Sequence, residues 1–414
     1  MEVIFVDNGL IGKGEHSYSL IKLVGERLTR CGVRYRAFGM KSIDPMIVAE
    51  IGALPHFSRS LYQSESPTPN ERRLLRLFAL ARGRAFDATI PSERTSARVL
   101  NASYEQDLAA LPPDIWSSDK LIVAPAVSQN QIVGLIRTLR AKADGERLRV
   151  VCQLMFAPNW TPWGRNGKLG QRIYRKAFAL AGPMIGKTLF FTTENEAIAS
   201  LYRDQYGLET SILPVPFGDT EPAAPCSGRP AFGFFGYSKC EKGFHLLPQA
   251  IQICRAHGLD ANFTIQLQHG EWEPATVAAE RALRQIPGVR LVEGVLSHED
   301  YTAEMGKIDA MLLPYDPVLF GLRGSGIFTQ SVSAGRPVIA SAGTFAGASI
   351  ASGEAEGEVF PPQDSAALAA AIMRLRSRLA DSHARAAKLA KAFAHRHSAE
   401  AYVYVLLAHA ARRF

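Results

Sequence analysis

A chain of 414 residues, 47% apolar and 21% charged, has material for two or three domains with full cores. It holds no run of ~18 uninterrupted apolar residues, which excludes a membrane-spanning helix, and its five cysteines form no Cys-x-x-Cys pair, which argues against a disulfide framework or a zinc site. The net charge is +8 and all of it lies in the first half: residues 1–217 carry 28 Lys and Arg against 20 Asp and Glu, and residues 218–414 carry 19 of each. A basic half-molecule fits an anionic partner such as a phospholipid surface, a lipid phosphate or an acidic glycan, and equally a solvated arginine-rich face.

The N-terminus, MEVIFVDNGL, lacks the basic start of a signal peptide and reads as a first strand, so a cytoplasmic location is expected. A loop with Gly9, Gly12 and Gly14 follows, then an amphipathic helix over His16–Arg30 and a strand over Val33–Phe38. This is a βαβ opening. Residues 41–115 are less regular, apart from an arginine- and leucine-rich helix over Glu71–Arg84 that has the composition of a surface lying on a membrane. Strands at Lys120–Pro125, Arg149–Leu154 and Thr188–Thr193 then alternate with helices at Ile132–Lys142, Leu169–Ala181 and Glu194–Tyr206. Between them, MFAPNWTPWGRNG carries Trp160 and Trp163 in a loop, where they would stack on a glycan, sit in an interface or plug a hydrophobic gap.

The segment GDTEPAAPCSGRP at residues 218–230 is the best linker in the chain. After it the alternation restarts: strands at Ala231–Tyr237, Phe263–Gln268, Val289–Glu293, Asp309–Pro314 and Pro337–Ser341, with helices between them and at about 364–380 and 382–411. The pattern predicts two consecutive doubly wound α/β domains.

Asp309–Ser341 carries the most chemistry. A buried strand runs into Arg323-Gly324-Ser325-Gly326, a short helix follows, and Gly335 sits where a helix ends. Glycines admit a ligand close to the backbone, first-turn amides point outward, and Arg323 adds a cation suited to phosphate. The alternative is a helix start that only packs. The segment FGFFGYSKCEKGFHLL, residues 232–247, offers Lys239 and Lys242-Gly243 after a strand.

These two stretches resemble the donor-binding region of retaining glycosyltransferases of family 4 (glycosyltransferase group 1). Gly335-Arg336-Pro337-Val338-Ile339 matches the closing G-x-P-V-I strand of that family, and Lys242-Gly243 matches its Lys-Gly pair. Gln330 and Leu322 or Arg323 occupy the places of the two family glutamates, so both acids are missing. The resemblance implies a GT-B fold: two Rossmann-like domains facing each other across a cleft, an acceptor-side domain at 1–217, a nucleotide-sugar domain at 218–390, and a C-terminal helix in 391–414 crossing back. It implies donor contacts from Gly12, Gly14, Lys239, Gly243, Val295, Gly324, Ser325, Gly326 and Gln330, with Lys242 and Arg323 stabilising the departing diphosphate. It places Lys13, Glu15 and His16 near the reaction, His16 orienting the acceptor hydroxyl or taking its proton, and Glu15, Trp160 and Trp163 toward the acceptor.

The expected activity is transfer of a sugar from a UDP- or GDP-sugar, a substrate rather than a resident cofactor, to a glycan or lipid-linked acceptor. Retention of configuration and independence of metal are implied, as is peripheral association with the inner face of an anionic membrane. No nucleic-acid partner is expected. A non-catalytic nucleotide-sugar-binding protein, or a UDP-sugar epimerase of similar fold, remains the alternative. A dinucleotide oxidoreductase is disfavoured, because GxxGxG is the wrong spacing for GxGxxG.

Overall fold

The structure, a computed structural model, describes residues 1–13, 16–81, 83, 91–142, 148–158, 160–161, 164–165, 168–217, 222, 228–268 and 273–411. The chain divides into two compact units, Met1–Pro216 with Ala399–Phe414, and Phe217–Ser398.

The first unit is built on seven parallel strands. They are β1 (Glu2–Val6), β2 (Arg34–Met40), β3 (Leu54–Phe57), β4 (Lys120–Ala124), β5 (Val150–Gln153), β8 (Leu189–Thr193) and β9 (Ser211–Ile212). Trp160–Thr161 (β6) and Gly164–Arg165 (β7) form a separate antiparallel hairpin. The sheet order is β3-β2-β1-β4-β5-β8-β9, so the winding reverses between β1 and β4. β1, β5 and β8 are buried along their whole length, which explains why they read as unbroken apolar runs. The helix Ala399–Ala411 belongs to this unit. Its Tyr402 hydroxyl donates to Gln153 Oε1 at 3.0 Å, and the Gln153 amide donates to the Leu213 carbonyl at 2.8 Å.

The second unit holds six parallel strands: β10 (Ala231–Phe234), β11 (Asn262–Leu267), β12 (Val289–Glu293), β13 (Ala310–Leu313), β14 (Val338–Ser341) and β15 (Gly357–Phe360). Their order is β12-β11-β10-β13-β14-β15, reversing between β10 and β13. Separate apolar clusters lie on its two faces, one around Phe232, Phe263, Ile251 and Leu368, the other around Met311, Leu313, Phe328 and Phe393. This is the doubly wound arrangement, in which ligands bind beyond the carboxyl ends of the strands at the reversal.

Several sequence expectations shift. The region 41–115, read as less regular, contains β3 and helices at Pro45–Ile51 and Glu93–Ala109 besides the expected arginine-rich helix, which runs over Pro69–Ala81. The expected single helix over 382–411 is two, Leu379–Arg396 in the second unit and Ala399–Ala411 in the first, so the return begins at Ala399 rather than at residue 391. The break falls at His397–Ser398, where the Phe217 amide donates to the His397 carbonyl at 3.2 Å. Among the described residues no helix is long and apolar enough to cross a membrane, and no group of three or more His, Cys, Asp or Glu is placed to hold a metal ion.

Candidate functional site

The second unit concentrates its chemistry at the reversal between β10 and β13. β10 ends at Phe234, earlier than the sequence pattern suggests, because Gly236 turns the chain with φ +94°. A short 3-10 turn over Cys240–Lys242 follows and closes on Gly243 at φ +70°. A β-carbon on Gly243 would lie 1.9 Å from the Pro314 carbonyl oxygen, so the loops after β10 and β13 touch through backbone alone. The Asp316 amide donates to the Glu241 carbonyl at 2.8 Å and pins the two loops together.

This turn delivers Lys242 to the mouth of the sheet. A β-carbon on Gly236 would lie 2.8 Å from its Nζ and 2.9 Å from Ile327 Cδ1, so the ammonium rests over glycine beside the first turn of the helix Gly326–Ser333. The Tyr237 and Tyr315 rings each have their centroids 5.8 Å from that Nζ. Burial, with repulsion from Arg323 and Lys239, lowers the Lys242 ammonium to about 8. Lys239 stands 5.6 Å from the Tyr237 ring and Arg323 is exposed beside Phe320, its guanidinium carbon 5.5 Å from that ring. Among the described residues no carboxylate forms an ion pair with any of these three cations.

Ser325 caps the helix Gly326–Ser333 by accepting from the Phe328 amide at 3.4 Å. The amides of Gly326 and Ile327 have no intrahelical acceptor, as in any first turn, and the helix dipole adds to the positive field. Gly326 is also required for packing, because a β-carbon there would meet the Phe217 ring at 2.5 Å. Gln330 lies one turn on and is partly exposed, and Gly324 sits in the loop before the cap. Arg336 is structural: its buried guanidinium donates to the carbonyls of Ile308 at 3.0 Å and Met305 at 2.7 Å.

Sequence reasoning missed Gln266. This buried β11 residue accepts from the Gly236 amide at 2.8 Å and donates to the Gly294 carbonyl at 2.8 Å. It thereby ties the Lys242 loop to the Gly294–Val295 loop, where Val295 is 71% exposed. The signal was a glutamine inside the apolar run Phe263–Leu267. Gln266→Leu leaves both backbone groups without their partner and should cost about 2–4 kcal/mol, read by urea unfolding, with weaker nucleotide binding.

The first unit has a polar cluster at its own reversal. Asp7 follows β1, is 2% exposed and accepts from the Gly9 amide at 2.7 Å, and burial pushes its carboxyl up to about 6. In the loop after β4, Gln129 and Asn130 are each 1% exposed, and among the described residues neither side-chain amide has a hydrogen-bond partner.

The sequence candidates of this unit are less assembled. Gly12 has ordinary φ and open space around it, and His16 opens the helix His16–Arg30 partly buried. Gly14, Glu15 and Trp163 lie outside the described residues. Lys13, which the resemblance places near the reaction, pairs with Glu50 at 2.8 Å. Trp160 stacks on Phe156 at 3.7 Å and 9°, edge-on to Tyr62, and joins a small cluster with Leu61 and Ala126. One indole face is thereby taken, as in the hydrophobic-plug alternative.

Residues 229–378, the span that holds Lys242, Arg323 and Ser325, match the family model described as Glycosyl transferases group 1. Over this span the second unit is similar to the group 1 glycosyltransferases. The whole chain has the GT-B fold of solved glycosyltransferases. HepE of Anabaena, solved with UDP, is 14% identical with a TM-score of 0.65, over 99% of each chain. Sucrose-phosphate synthase of Thermosynechococcus elongatus is 12% identical with a TM-score of 0.60, over 98% of this chain and 99% of its own. A UDP-forming α,α-trehalose-phosphate synthase of Burkholderia vietnamiensis is 12% identical with a TM-score of 0.62, over 99% of each chain. No curated protein matches this sequence.

Proposed function

We propose that this group 1 chain transfers a sugar, with retention and without a metal ion, from a UDP- or GDP-sugar to a glycan or lipid-linked acceptor. The observation that carries the reading is the cation set at the β10–β13 reversal. Lys242, Lys239 and Arg323 lie together, among the described residues no carboxylate forms an ion pair with them, and Lys242 is held partly buried against repulsion. A protein that meets this cost gains a field fitted to a diphosphate. HepE, of the same fold, is solved in complex with UDP.

In this reading the acceptor hydroxyl forms the new bond to the anomeric carbon while the bond to the β-phosphate oxygen breaks. The nucleoside diphosphate leaves with the electron pair and takes up the hydroxyl proton on the same face. Lys242, Arg323 and the amides after Ser325 receive the charge that develops on the diphosphate. Lys239, Gly243, Gly324, Gly326 and Gln330 border the donor, and Val295 lies by the base. The resemblance assigns the acceptor side to the first unit, with His16 at the hydroxyl.

Incubation with a panel of UDP-, GDP- and ADP-sugars tests the proposal. Slow release of free sugar and nucleoside diphosphate supports a transferase. Binding with no turnover, in the presence of candidate acceptors, favours a binding protein, and conversion of the sugar within an intact donor favours an epimerase.

The Lys242 ammonium also sets a pH dependence. A bound diphosphate stabilises the protonated form, so binding takes up a proton above the free-protein value of about 8. The dissociation constant for UDP should be flat from pH 7 to 8. It should then rise about tenfold per pH unit until the bound-state pKa is passed. Isothermal titration in buffers of differing ionisation heat reads both effects.

A further inference from the structure

The helix Pro69–Ala81 is amphipathic with no core to explain it. None of its 13 residues is buried. Leu74, Leu77, Phe78 and Leu80 are 56%, 58%, 62% and 75% exposed. Leu74, Leu77, Phe78 and Ala81 follow the i, i+3, i+4, i+7 spacing and make one apolar stripe. At ~100° per residue the exposed Arg73 falls on the flank of this stripe, and Arg72 and Arg76 fall opposite it, Arg72 Nε donating to the Pro67 carbonyl at 3.0 Å.

A helix of this length is marginal by itself in water. Its start, however, is built into the unit. The Thr68 amide donates to Glu71 Oε2 at 3.0 Å and the Glu71 amide to Thr68 Oγ1 at 3.3 Å, a reciprocal capping box. Glu71 Oε2 also accepts from the Thr95 hydroxyl at 2.6 Å and the Ser92 hydroxyl at 3.1 Å. The helix is therefore anchored at its N-terminus while its apolar stripe faces solvent. Its only carboxylate is used in that anchor, which leaves the remaining turns purely cationic and apolar.

We propose that the helix Pro69–Ala81 is a docking surface for an anionic phospholipid bilayer. Charge complementarity selects this occupant. The apolar stripe enters the boundary between headgroups and acyl chains, Arg73 on its flank reaches lipid phosphates, and Arg72 and Arg76 on the polar face add to the positive field at the surface. Thirteen residues span about 20 Å, short of the ~30 Å hydrocarbon core, so the helix lies on the membrane and does not cross it. The half of the chain that carries it holds the whole +8 excess, which favours approach to a negative surface. The docking is independent of the sugar chemistry.

The test is flotation of the full chain with phosphatidylcholine vesicles, with and without phosphatidylglycerol. The wild type should float with the anionic vesicles and far less with the neutral ones. Leu77→Glu with Phe78→Glu should lose binding at least about tenfold, by removing buried apolar area. Replacing Arg72, Arg73 and Arg76 by Gln should remove the preference for anionic lipid, about 1 kcal/mol or fivefold for each arginine. All these positions are exposed, so UDP affinity should hold in every variant, and the melting temperature should hold in Leu77→Glu with Phe78→Glu; the arginine variant loses the bond from Arg72 to the Pro67 carbonyl and should melt slightly lower. The proposal is overturned if the wild type binds neither vesicle or if the variants float as the wild type does. It is also overturned if the wild type elutes as a dimer that Leu77→Glu with Phe78→Glu makes monomeric, since the stripe would then cover a second copy.

Discussion

Lys242→Met should weaken UDP binding about a hundredfold and at the same time raise the melting temperature of the nucleotide-free protein. Both effects come from one cause. In the free protein the ammonium is partly buried and faces Arg323 and Lys239, the weaker attraction of Glu241 does not offset burial and repulsion, and among the described residues no carboxylate forms an ion pair with it. Its folded-state pKa of about 8 lies below the unfolded value, so between about 8 and 10.5 the unfolded chain binds the extra proton and stability rises with pH. Below pH 8 both states are protonated and the full cost of holding the charge is present. A thioether of similar length removes that cost, about 1–3 kcal/mol, and keeps the packing between Tyr237 and Tyr315. A bound diphosphate loses a charge-assisted partner worth about 2–5 kcal/mol. Differential scanning calorimetry at pH 7 and a UDP titration should therefore move in opposite directions. A variant that loses both stability and affinity would assign Lys242 a structural role. Arg323→Met should weaken binding with little change in melting temperature, because the guanidinium is exposed.

Gly243→Ala is expected to damage the protein more than any other single methyl group at this site. Its backbone is left-handed, at φ +70°, and the added β-carbon would overlap the Pro314 carbonyl at 1.9 Å. The neighbour is backbone and cannot rotate away, so the loops after β10 and β13 must separate. That separation strains the 2.8 Å bond from the Asp316 amide to the Glu241 carbonyl and displaces Lys242. A loss of about 3–5 kcal/mol is expected, or about 10 °C in melting temperature for a unit of this size. Gly258→Ala is the control. Its φ is +76° but no atom lies within 4 Å of the added carbon, so only the conformational cost of about 1 kcal/mol applies. Equal losses in the two variants would remove the argument from loop contact.

The sequence carried the architecture because parallel strands buried on both faces leave an unmistakable apolar signature, as in β1, β5 and β8. It also carried the β10 and β13 loops, since glycines and cations at fixed distance after a strand have few other uses. What it could not carry is pairing across distance. Lys13 is placed near the reaction by the family resemblance alone, and its pairing with Glu50, from the helix Pro45–Ile51, could not be read from spacing. Gln266 looked like an ordinary strand residue, and its role exists only because Gly236 and Gly294 are brought to either side of it. The same limit applies to Trp160, whose stacking on Phe156 depends on how a proline-rich loop closes. β15 escaped notice because it is four residues long and only its last residue, Phe360, is buried.

The most direct test of the account is a crystal structure of the full chain with UDP. The account predicts the diphosphate at the carboxyl ends of β10 and β13, its oxygens in hydrogen-bond reach of Lys242 Nζ, the Arg323 guanidinium and the first amides of the helix Gly326–Ser333. A nucleotide lodged elsewhere in the chain, or seated there with Lys242 turned away from its phosphates, would contradict it.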